Sequence, residues 1–394
     1  MRELSRGLVA RVEAATPPGR DRAVDALRAL AILGVVGGHW LVTALVADSG
    51  TVRTASPLTY VPQLAPVSWV FQTLSVFFLV GGVVAARSWA SARERGVAYG
   101  RWVGGRLTRL FRPVAAVLVV WSLAAGAMLA SGVGEPTVLA LAKLVWSPLW
   151  FLLVFAVLTA LTPLVARLHP LWPLAVVLHV DLVRFGLGGP RELGWVNVIA
   201  GWLVPYCLGA LVARGGLRGL RNRWALLLGG AAAAGALVVG AGYPASMVGV
   251  PGGRISNLDP PSLAAVAFGL AQCGAALLLL GPLRRALRRP AAWAVVAVVN
   301  LAAMTVFLWH QTAMIVVTMS ASLLAEGPLP GLHTVPDGAG WVAARLLWLP
   351  VFALVLLVCG AAFHAYEQGG RRAARPPLLV RESFPERKQE VRRA

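Results

Sequence analysis

Two ionisable residues stand in the first apolar segment of the sequence, DALRALAILGVVGGHW, which runs from Asp25 to Trp40. Ten residues separate Arg28 from His39, and all are Ala, Leu, Ile, Val or Gly. On an α-helix this spacing places both side chains on one face, about 16 Å apart. Neutral imidazole is a general base near pH 7, and guanidinium binds phosphate. The spacing therefore indicates a base and an anion-binding group on one helix, with Asp25 able to pair with Arg28.

Each of the two residues also has a structural interpretation. An arginine at the start of a membrane helix can anchor the helix at the headgroups, and an intramembrane histidine can form a hydrogen bond between helices. Ionisable groups inside apolar segments are costly, however, and they commonly mark a site or a pathway. Gly34, Gly37 and Gly38 would let another backbone approach the shared face. We therefore favour a functional site.

Three further groups of residues could take part in chemistry. Arg106 and Arg109, in RLTRLFRPV, are three residues apart and share a helix face, although a basic loop needs no ligand. His310 and Gln311, in TVFLWHQTAMI, could support another ionisable group or orient a substrate hydroxyl. A purely structural hydrogen bond between helices explains them about equally well. His179 and Asp181 should point in different directions, because residues two apart do not face each other on a helix.

The composition is that of an integral membrane protein. Of the 394 residues, 58% are hydrophobic and 13% are charged, and the formal net charge is +20. The basic residues lie between apolar segments, which excludes a soluble nucleic-acid binder. Three cysteines lie within apolar segments and provide neither a disulfide framework nor a metal-ligand spacing, so we expect no metal and no permanently bound cofactor.

The apolar segments predict an all-α, polytopic bundle of about ten transmembrane helices in the cell membrane. Most of the 36 lysine and arginine residues fall in alternate connections and in the terminal segments, which predicts that both termini are cytoplasmic. We expect a cytoplasmic N-terminal segment (1–24), a membrane domain (25–366) and a basic cytoplasmic tail (367–394). The predicted spans are 27–47, 66–86, 113–132, 145–166, 171–184, 194–213, 224–242, 261–281, 293–323 and 341–363.

Several of these stretches resemble conserved blocks of one family, the acyltransferase 3 family of integral membrane O-acyltransferases. DRAVDALRALAILGVVGGHW resembles its first helix, SVFFLVGGVVAARSW its second, and GRLTRLFRPV its cytoplasmic Arg-x-x-Arg block. LWFLLVF and FLWHQTAMI resemble later blocks, and the order agrees from about residue 21 to 365. The chain departs from the pattern at Gly82-Val83, where the family more often has Gly-Phe.

The resemblance implies transfer of an acyl group, commonly acetyl from acetyl-CoA, to a hydroxyl of a sugar, glycan, lipid or natural product. It implies that His39 is the catalytic residue and that Arg28, Arg106 and Arg109 contact the acyl-CoA. Asp25, His310 and Gln311 are then candidates for supporting or acceptor-binding roles. The expected partners are the lipid bilayer, acyl-CoA as a co-substrate, and a hydroxyl-bearing acceptor. A transporter or flippase for a small molecule or lipid-linked sugar is the alternative from another class.

Overall fold

The structure is a computed structural model that describes residues 2–48, 51–253 and 255–372. It is 76% helical, and nine helices in this part of the chain are long and apolar enough to cross a membrane. The predicted all-α membrane bundle is confirmed. Residues 373–394, which include most of the predicted basic tail, lie outside the described residues.

The first half of the chain begins with a helix that precedes the bundle and continues through the first four spans. In chain order its elements are α1 (Arg2–Ala14), α2 (Arg22–Val42), β1 (Ala44–Asp48), β2 (Thr51–Ala55), α3 (Pro57–Tyr60), α4 (Ser68–Phe71), α5 (Leu74–Glu94), α6 (Tyr99–Ala130), α7 (Glu135–Trp146), α8 (Trp150–Ala160) and α9 (Thr162–Val165). Short 3₁₀ segments join α3 to α4 and α7 to α8, and the two joined helices α7 and α8 count as one span.

The second half of the chain is helical throughout its described elements. Its helices are α10 (Leu171–Asp181), α11 (Val196–Ala213), α12 (Leu220–Gly240), α13 (Leu263–Ala286), α14 (Pro290–Leu301), α15 (Ala303–Leu324) and α16 (Ala339–Arg372). The ninth predicted span, 293–323, is divided at Ala302 into α14 and α15. Its sequence is longer than one crossing needs, and the surplus forms the short helix α14.

The fifth predicted span, 171–184, is the least regular crossing. Helix α10 has 11 residues and continues into a π-helical turn, Leu182–Gly186. Together they extend about 24 Å, which is shorter than the hydrocarbon core of roughly 30 Å. This explains why the segment is not among the nine long apolar helices. Because it leads from the end of α9 to the start of α11, we still expect it to be a tenth crossing of reduced length.

Most charge pairs hold together one end of the bundle, which we call the arginine end. Asp21, just before α2, bonds to Arg284 at the end of α13 and lies 3.5 Å from Arg87 of α5. Burial raises the pKa of Asp21, but the hydrogen bond and charge of Arg284 together with the charge of Arg87 outweigh it, so the pKa lies below its usual value. These contacts fix the start of α2 against two neighbouring helices.

The opposite end, which we call the hairpin end, contains the only strands in the described residues. Strands β1 and β2 pair in antiparallel register from Ala44 opposite Ala55 to Asp48 opposite Thr51. The prediction that the first span extends to residue 47 was wrong, because α2 ends at Val42 and the next apolar residues belong to β1. The hairpin is tied to the loop before α16, since the Ala47 N–H donates to the carbonyl of His333.

Glycines allow the central helices to pack at backbone distance. A Cβ atom at Gly82 of α5 would overlap the carbonyl oxygen of Tyr206, and one at Gly209 of α11 would overlap that of Leu79. The chain has Val83 where the family more often has Phe, and Val83 is buried in the same region. Helices α5 and α11 are in close contact despite this departure from the family pattern. Helix α2 packs against α5, α13, α14 and α15, so residues on several of its faces are buried.

The predicted orientation can be tested with reporter fusions. Reporters at residues 100 and 250 should report opposite sides of the membrane, since they lie at the arginine end and the hairpin end respectively. A second pair, at residues 168 and 188, should also report opposite sides if α10 crosses. The first pair reporting one side would contradict the orientation, and the second pair reporting one side would reduce the number of crossings to nine.

Candidate active site

His39 lies in the last turn of α2, three residues before the helix ends. The sequence placed it in the interior of a longer span, and the earlier end of α2 corrects that prediction. Gln311 of α15 approaches the ring: its Nε2 lies 3.2 Å from Nδ1 of His39. The ring of His310 packs beside that of His39, with centroids 5.1 Å apart. The three residues that the sequence singled out on two distant segments therefore form one cluster.

A cavity of about 730 Å³ opens from the hairpin end down to this cluster, and both His39 and Gln311 line it. Its volume is within the range of ligand pockets, which hold roughly 300–1,000 Å³. Thr54 from β2 and Asp259 from the loop before α13 contribute to its upper part, and Phe71 from α4 also lines it. The cavity could admit a molecule from the hairpin side and bring it against the imidazole.

His310 supports the cluster from behind and is not one of the residues that line the cavity. Its Nδ1 lies 2.5 Å from the carbonyl oxygen of Phe307, which fixes the proton on Nδ1. Its Nε2 is buried and has no hydrogen-bond partner among the described residues, and the same holds for Oε1 of Gln311. Buried polar atoms of this kind are uncommon outside functional sites. They indicate that the cluster has hydrogen-bonding capacity to offer a ligand or water.

Arg345 of α16 holds the end of α2 in place. Its guanidinium donates to the carbonyl oxygens of Trp40 at 2.7 Å, Thr43 at 2.6 Å and Gly331 at 2.8 Å, and only 1% of the residue is exposed. Carbonyls at a helix C-terminus lack intrahelical partners and carry partial negative charge, so a cation is well placed there. Arg345 thereby fixes the turn that presents His39.

We did not predict Arg345 from the sequence, although a signal was present. It is an arginine inside the apolar run WVAARLLWLPVF, and ionisable residues in such runs commonly mark a site or a buried pair. Trp40, the neighbour of His39, adds a second attachment of α2, since its indole N–H donates to the carbonyl of His310 at 2.9 Å. The last turn of α2 is thus fastened to both α15 and α16.

Replacing Arg345 by Met should destabilise the folded protein. Three buried carbonyl oxygens would lose their donor, at roughly 1–3 kcal/mol each, so we expect a loss of about 3 kcal/mol or more. The measurement is thermal unfolding of the purified variant in detergent. Arg53→Met, at an exposed position of the adjacent hairpin, is the matched control and should change stability little. Equal unfolding temperatures for Arg345→Met and the wild type would contradict the role given to Arg345.

The glycines in the first apolar segment have the role that the sequence predicted. A Cβ atom at Gly34 would lie 2.6 Å from Oγ1 of Thr73, and one at Gly38 would lie 2.9 Å from the Cβ of Phe71. The Thr73 hydroxyl donates to the carbonyl of Ala31 at 2.7 Å. The segment between α4 and α5 can therefore lie directly on α2, which brings Phe71 to the cavity beside His39.

Arg28 occupies the arginine end of the same helix, about 16 Å from His39. Its Nε donates to Oδ1 of Asn300 at 2.5 Å, and its Nη2 lies 3.4 Å from Asp25. Asn300, in turn, donates to the carbonyl of Asp25 at 2.7 Å. The predicted pairing of Asp25 with Arg28 is present, and Asp25 also pairs with Arg20 at 2.6 Å. Asp25 therefore lies at the arginine end and is not among the residues that line the cavity, so of its two suggested roles this placement favours the supporting one.

Arg106 lies within electrostatic range of both Arg28 and Arg109. Arg106 donates to the hydroxyl of Ser88 at 3.0 Å and lies over the ring of Trp102. Arg109 is exposed, and its Nε donates to the carbonyl of Gly105 at 2.8 Å. These contacts leave further guanidinium N–H groups of Arg109 facing solvent, so this end of the bundle has an excess of positive charge.

The remaining candidate pair, His179 and Asp181, is separated as the spacing predicted. His179 is exposed, whereas Asp181 is buried and accepts hydrogen bonds from Asn197 at 3.0 Å and Tyr243 at 3.0 Å. The backbone N–H of Leu263 also donates to Asp181 at 2.6 Å. This carboxylate joins α10, α11 and the start of α13, and it has no contact with the His39 cluster. Its role is structural.

The structure thus brings the site residues together in two places, with His39, Gln311 and His310 at the cavity and Arg28, Arg106 and Arg109 at the arginine end. A model of the acyltransferase domain of the acyltransferase 3 family matches residues 21–364, which is most of the chain and includes both places. The chain belongs to this family. It is therefore a multi-pass membrane acyltransferase. No curated protein and no solved structure matches it significantly.

Proposed function

We propose that this acyltransferase 3 protein moves an acyl group, most simply acetyl, from acyl-CoA to a hydroxyl of an acceptor at the cell membrane. The observation that supports this best is the arrangement along α2. One end carries Arg28 beside Arg106 and Arg109, and the other end presents His39 to a cavity that opens at the hairpin end. A phosphate-bearing donor and an uncharged hydroxyl would each find suitable groups, at opposite ends of one helix.

In this proposal the arginines hold the phosphates of acyl-CoA while the pantetheine arm extends along α2 toward His39. Guanidinium groups bind phosphate oxygens with two parallel N–H donors, which lysine cannot do. Arg28 is too far from His39 to exchange a proton with it, so its role is donor binding. Acyl-CoA is a co-substrate: it gives up its acyl group, and free CoA leaves after each turnover.

In general-base catalysis, the imidazole of His39 would first remove a proton from the acceptor hydroxyl and later give that proton to the departing CoA. His39 Nε2 takes the proton of the acceptor hydroxyl as the oxygen attacks the thioester carbonyl. The tetrahedral intermediate then expels the CoA sulfur, and the imidazolium returns the proton to it. In the alternative, His39 itself attacks the carbonyl, releases CoA and passes the acyl group to the acceptor oxygen.

Gln311 would determine which nitrogen of His39 is available. For Nε2 to accept a proton, Nδ1 must carry one and donate it to an acceptor. The amide oxygen Oε1 of Gln311 is buried and has no partner among the described residues, whereas its amide nitrogen Nε2 lies near Nδ1 of His39. Rotating the Gln311 amide by 180° exchanges the two atoms and brings Oε1 next to Nδ1 of His39. Oε1 then accepts from Nδ1–H, leaving Nε2 unprotonated as the base.

The proposal is tested by following free CoA. Purified protein in nanodiscs, given acetyl-CoA and an extract of envelope lipids and glycans, should release CoA thiol and label a component of the extract. A transporter or flippase would release none. Mass spectrometry of glycans, lipids and metabolites from cells with and without the gene should then show an acyl group that disappears with the gene. No CoA release and no lost acyl group would contradict the proposed function.

A further inference from the structure

The cavity that reaches His39 has an apolar wall in its middle part. Six of the residues on this wall come from the kinked span α7–α8 and from the start of α11, and they are Pro148, Trp150, Leu153, Val154, Trp195 and Val198. Apolar groups that leave water and bury against such a wall gain free energy, at about 25 cal/mol per Å² buried.

Two of the serines that line the cavity are already engaged by the protein. The hydroxyl of Ser68 donates to the carbonyl of Ala65 and accepts from the N–H of Met247 at 2.9 Å. The hydroxyl of Ser56 accepts from the backbone N–H of Leu58 at 3.3 Å. Apart from the imidazole, the described residues that line the cavity include one ionisable group, Asp259, which is exposed at the mouth. The ionisable groups of the described lining therefore lie at the floor and the mouth, and none lies on the apolar wall.

Two residues of the apolar wall are also strongly exposed. Leu153 is 59% exposed and Trp195 is 61% exposed, although both line the cavity. Both residues belong to candidate membrane spans, Glu135–Ala160 and Arg191–Ala213, so the surface that they expose outside the cavity would meet the bilayer. A gap between α8 and the start of α11 would then connect the cavity with the lipid, besides the opening at the hairpin end.

We propose that the acceptor is an amphipathic molecule, with a hydroxyl-bearing head and an apolar body, and that it enters from the bilayer between Leu153 and Trp195. This inference rests on the proposed function and specifies the acceptor class for the same site. The head reaches His39 and Gln311 at the floor, while the apolar body lies along the wall and extends into the lipid. Relative to a molecule dissolved in water, burying two methylene groups in the bilayer or against the wall gains about 1.6 kcal/mol, or more than tenfold in affinity.

The test uses a photoreactive decyl glucoside as the probe and the full-length protein in nanodiscs. Irradiation should label residues of the cavity wall, identified by mass spectrometry, and unlabelled decyl glucoside should compete at least about tenfold better than methyl glucoside. This readout measures binding without acyl transfer. A failure of CoA release would therefore count against the proposed function, whereas a failure here would count against the acceptor class.

Leu153→Trp places a larger side chain in the gap between α8 and the start of α11 and should reduce labelling by about tenfold. Val157→Trp is the matched control, because Val157 lies one turn further along α8, is 44% exposed and does not line the cavity. Both positions face the bilayer, so both variants should fold and the probe should partition equally into the lipid. Equal labelling of the two variants, or equal competition by decyl and methyl glucoside, would overturn the proposal.

Discussion

His39→Gln should abolish acyl transfer while leaving acyl-CoA binding almost unchanged. Glutamine can keep a hydrogen bond to Gln311 but cannot take a proton or carry an acyl group. General-base assistance contributes roughly 10²–10⁴-fold, so we expect turnover to fall by at least about a hundredfold. Binding should persist because Arg28 lies about 16 Å away along α2, and Arg106 and Arg109 lie on a different helix, α6. The measurements are CoA release under saturating acetyl-CoA and direct titration of acetyl-CoA binding.

His39→Ala is the companion variant, since it separates a catalytic from a structural histidine. A catalytic His39 predicts that Ala and Gln are equally inactive and that both variants fold. A structural His39 predicts that Gln retains much of the activity, while Ala chiefly lowers the amount of folded protein. Near-normal turnover of a folded His39→Gln protein would remove His39 from the reaction and make His310 the next candidate.

Replacing both Arg106 and Arg109 by Ala should weaken acetyl-CoA binding by about a hundredfold. Each charge-assisted hydrogen bond to phosphate contributes roughly 1.5 kcal/mol at such an accessible site, and two of them correspond to two decades in the dissociation constant. Single Arg→Lys changes should also weaken binding, because lysine cannot form the two parallel bonds of guanidinium. Equilibrium titration of acetyl-CoA provides the measurement.

The matched control for this variant removes the same charge from the same end of the bundle. Arg218 and Arg221 are exposed in and after the connection between α11 and α12, and replacing both by Ala should change binding by no more than a few-fold. A similar loss in both double variants would indicate a general electrostatic effect. Unchanged binding in Arg106→Ala/Arg109→Ala would return these arginines to a topological role.

Much of the fold could be predicted because long apolar runs admit few alternatives to membrane helices. The exceptions are informative. The end of α2 at Val42 was missed because Ala44, Leu45, Val46 and Ala47 continue the apolar run after a single polar residue, Thr43. A short apolar run fits a strand as well as a helix, and the pairing with β2 that decides the matter is a contact between segments.

The site was predictable to the extent that single residues carried a signal. His39 and Gln311 were singled out on separate segments, yet their approach to 3.2 Å depends on how α2 packs against α15. Arg345 and Asn300 act through contacts with residues of α2, and at least 272 residues of sequence separate the two partners of each contact. Such partners cannot be deduced from spacing along one helix, because they depend on the arrangement of helices in the bundle.

In the proposed reaction, acyl-CoA binds at the arginine end and its acyl group is transferred at His39. Sealed membrane vesicles from the cells that make this protein, carrying either the wild-type or the His39→Gln gene, allow a direct test with labelled acetyl-CoA supplied outside. We predict that wild-type inside-out vesicles release CoA and transfer label to an acceptor, whereas right-side-out vesicles and both kinds of His39→Gln vesicle do not. Equal transfer by the two vesicle orientations, or by wild type and His39→Gln, would contradict the account.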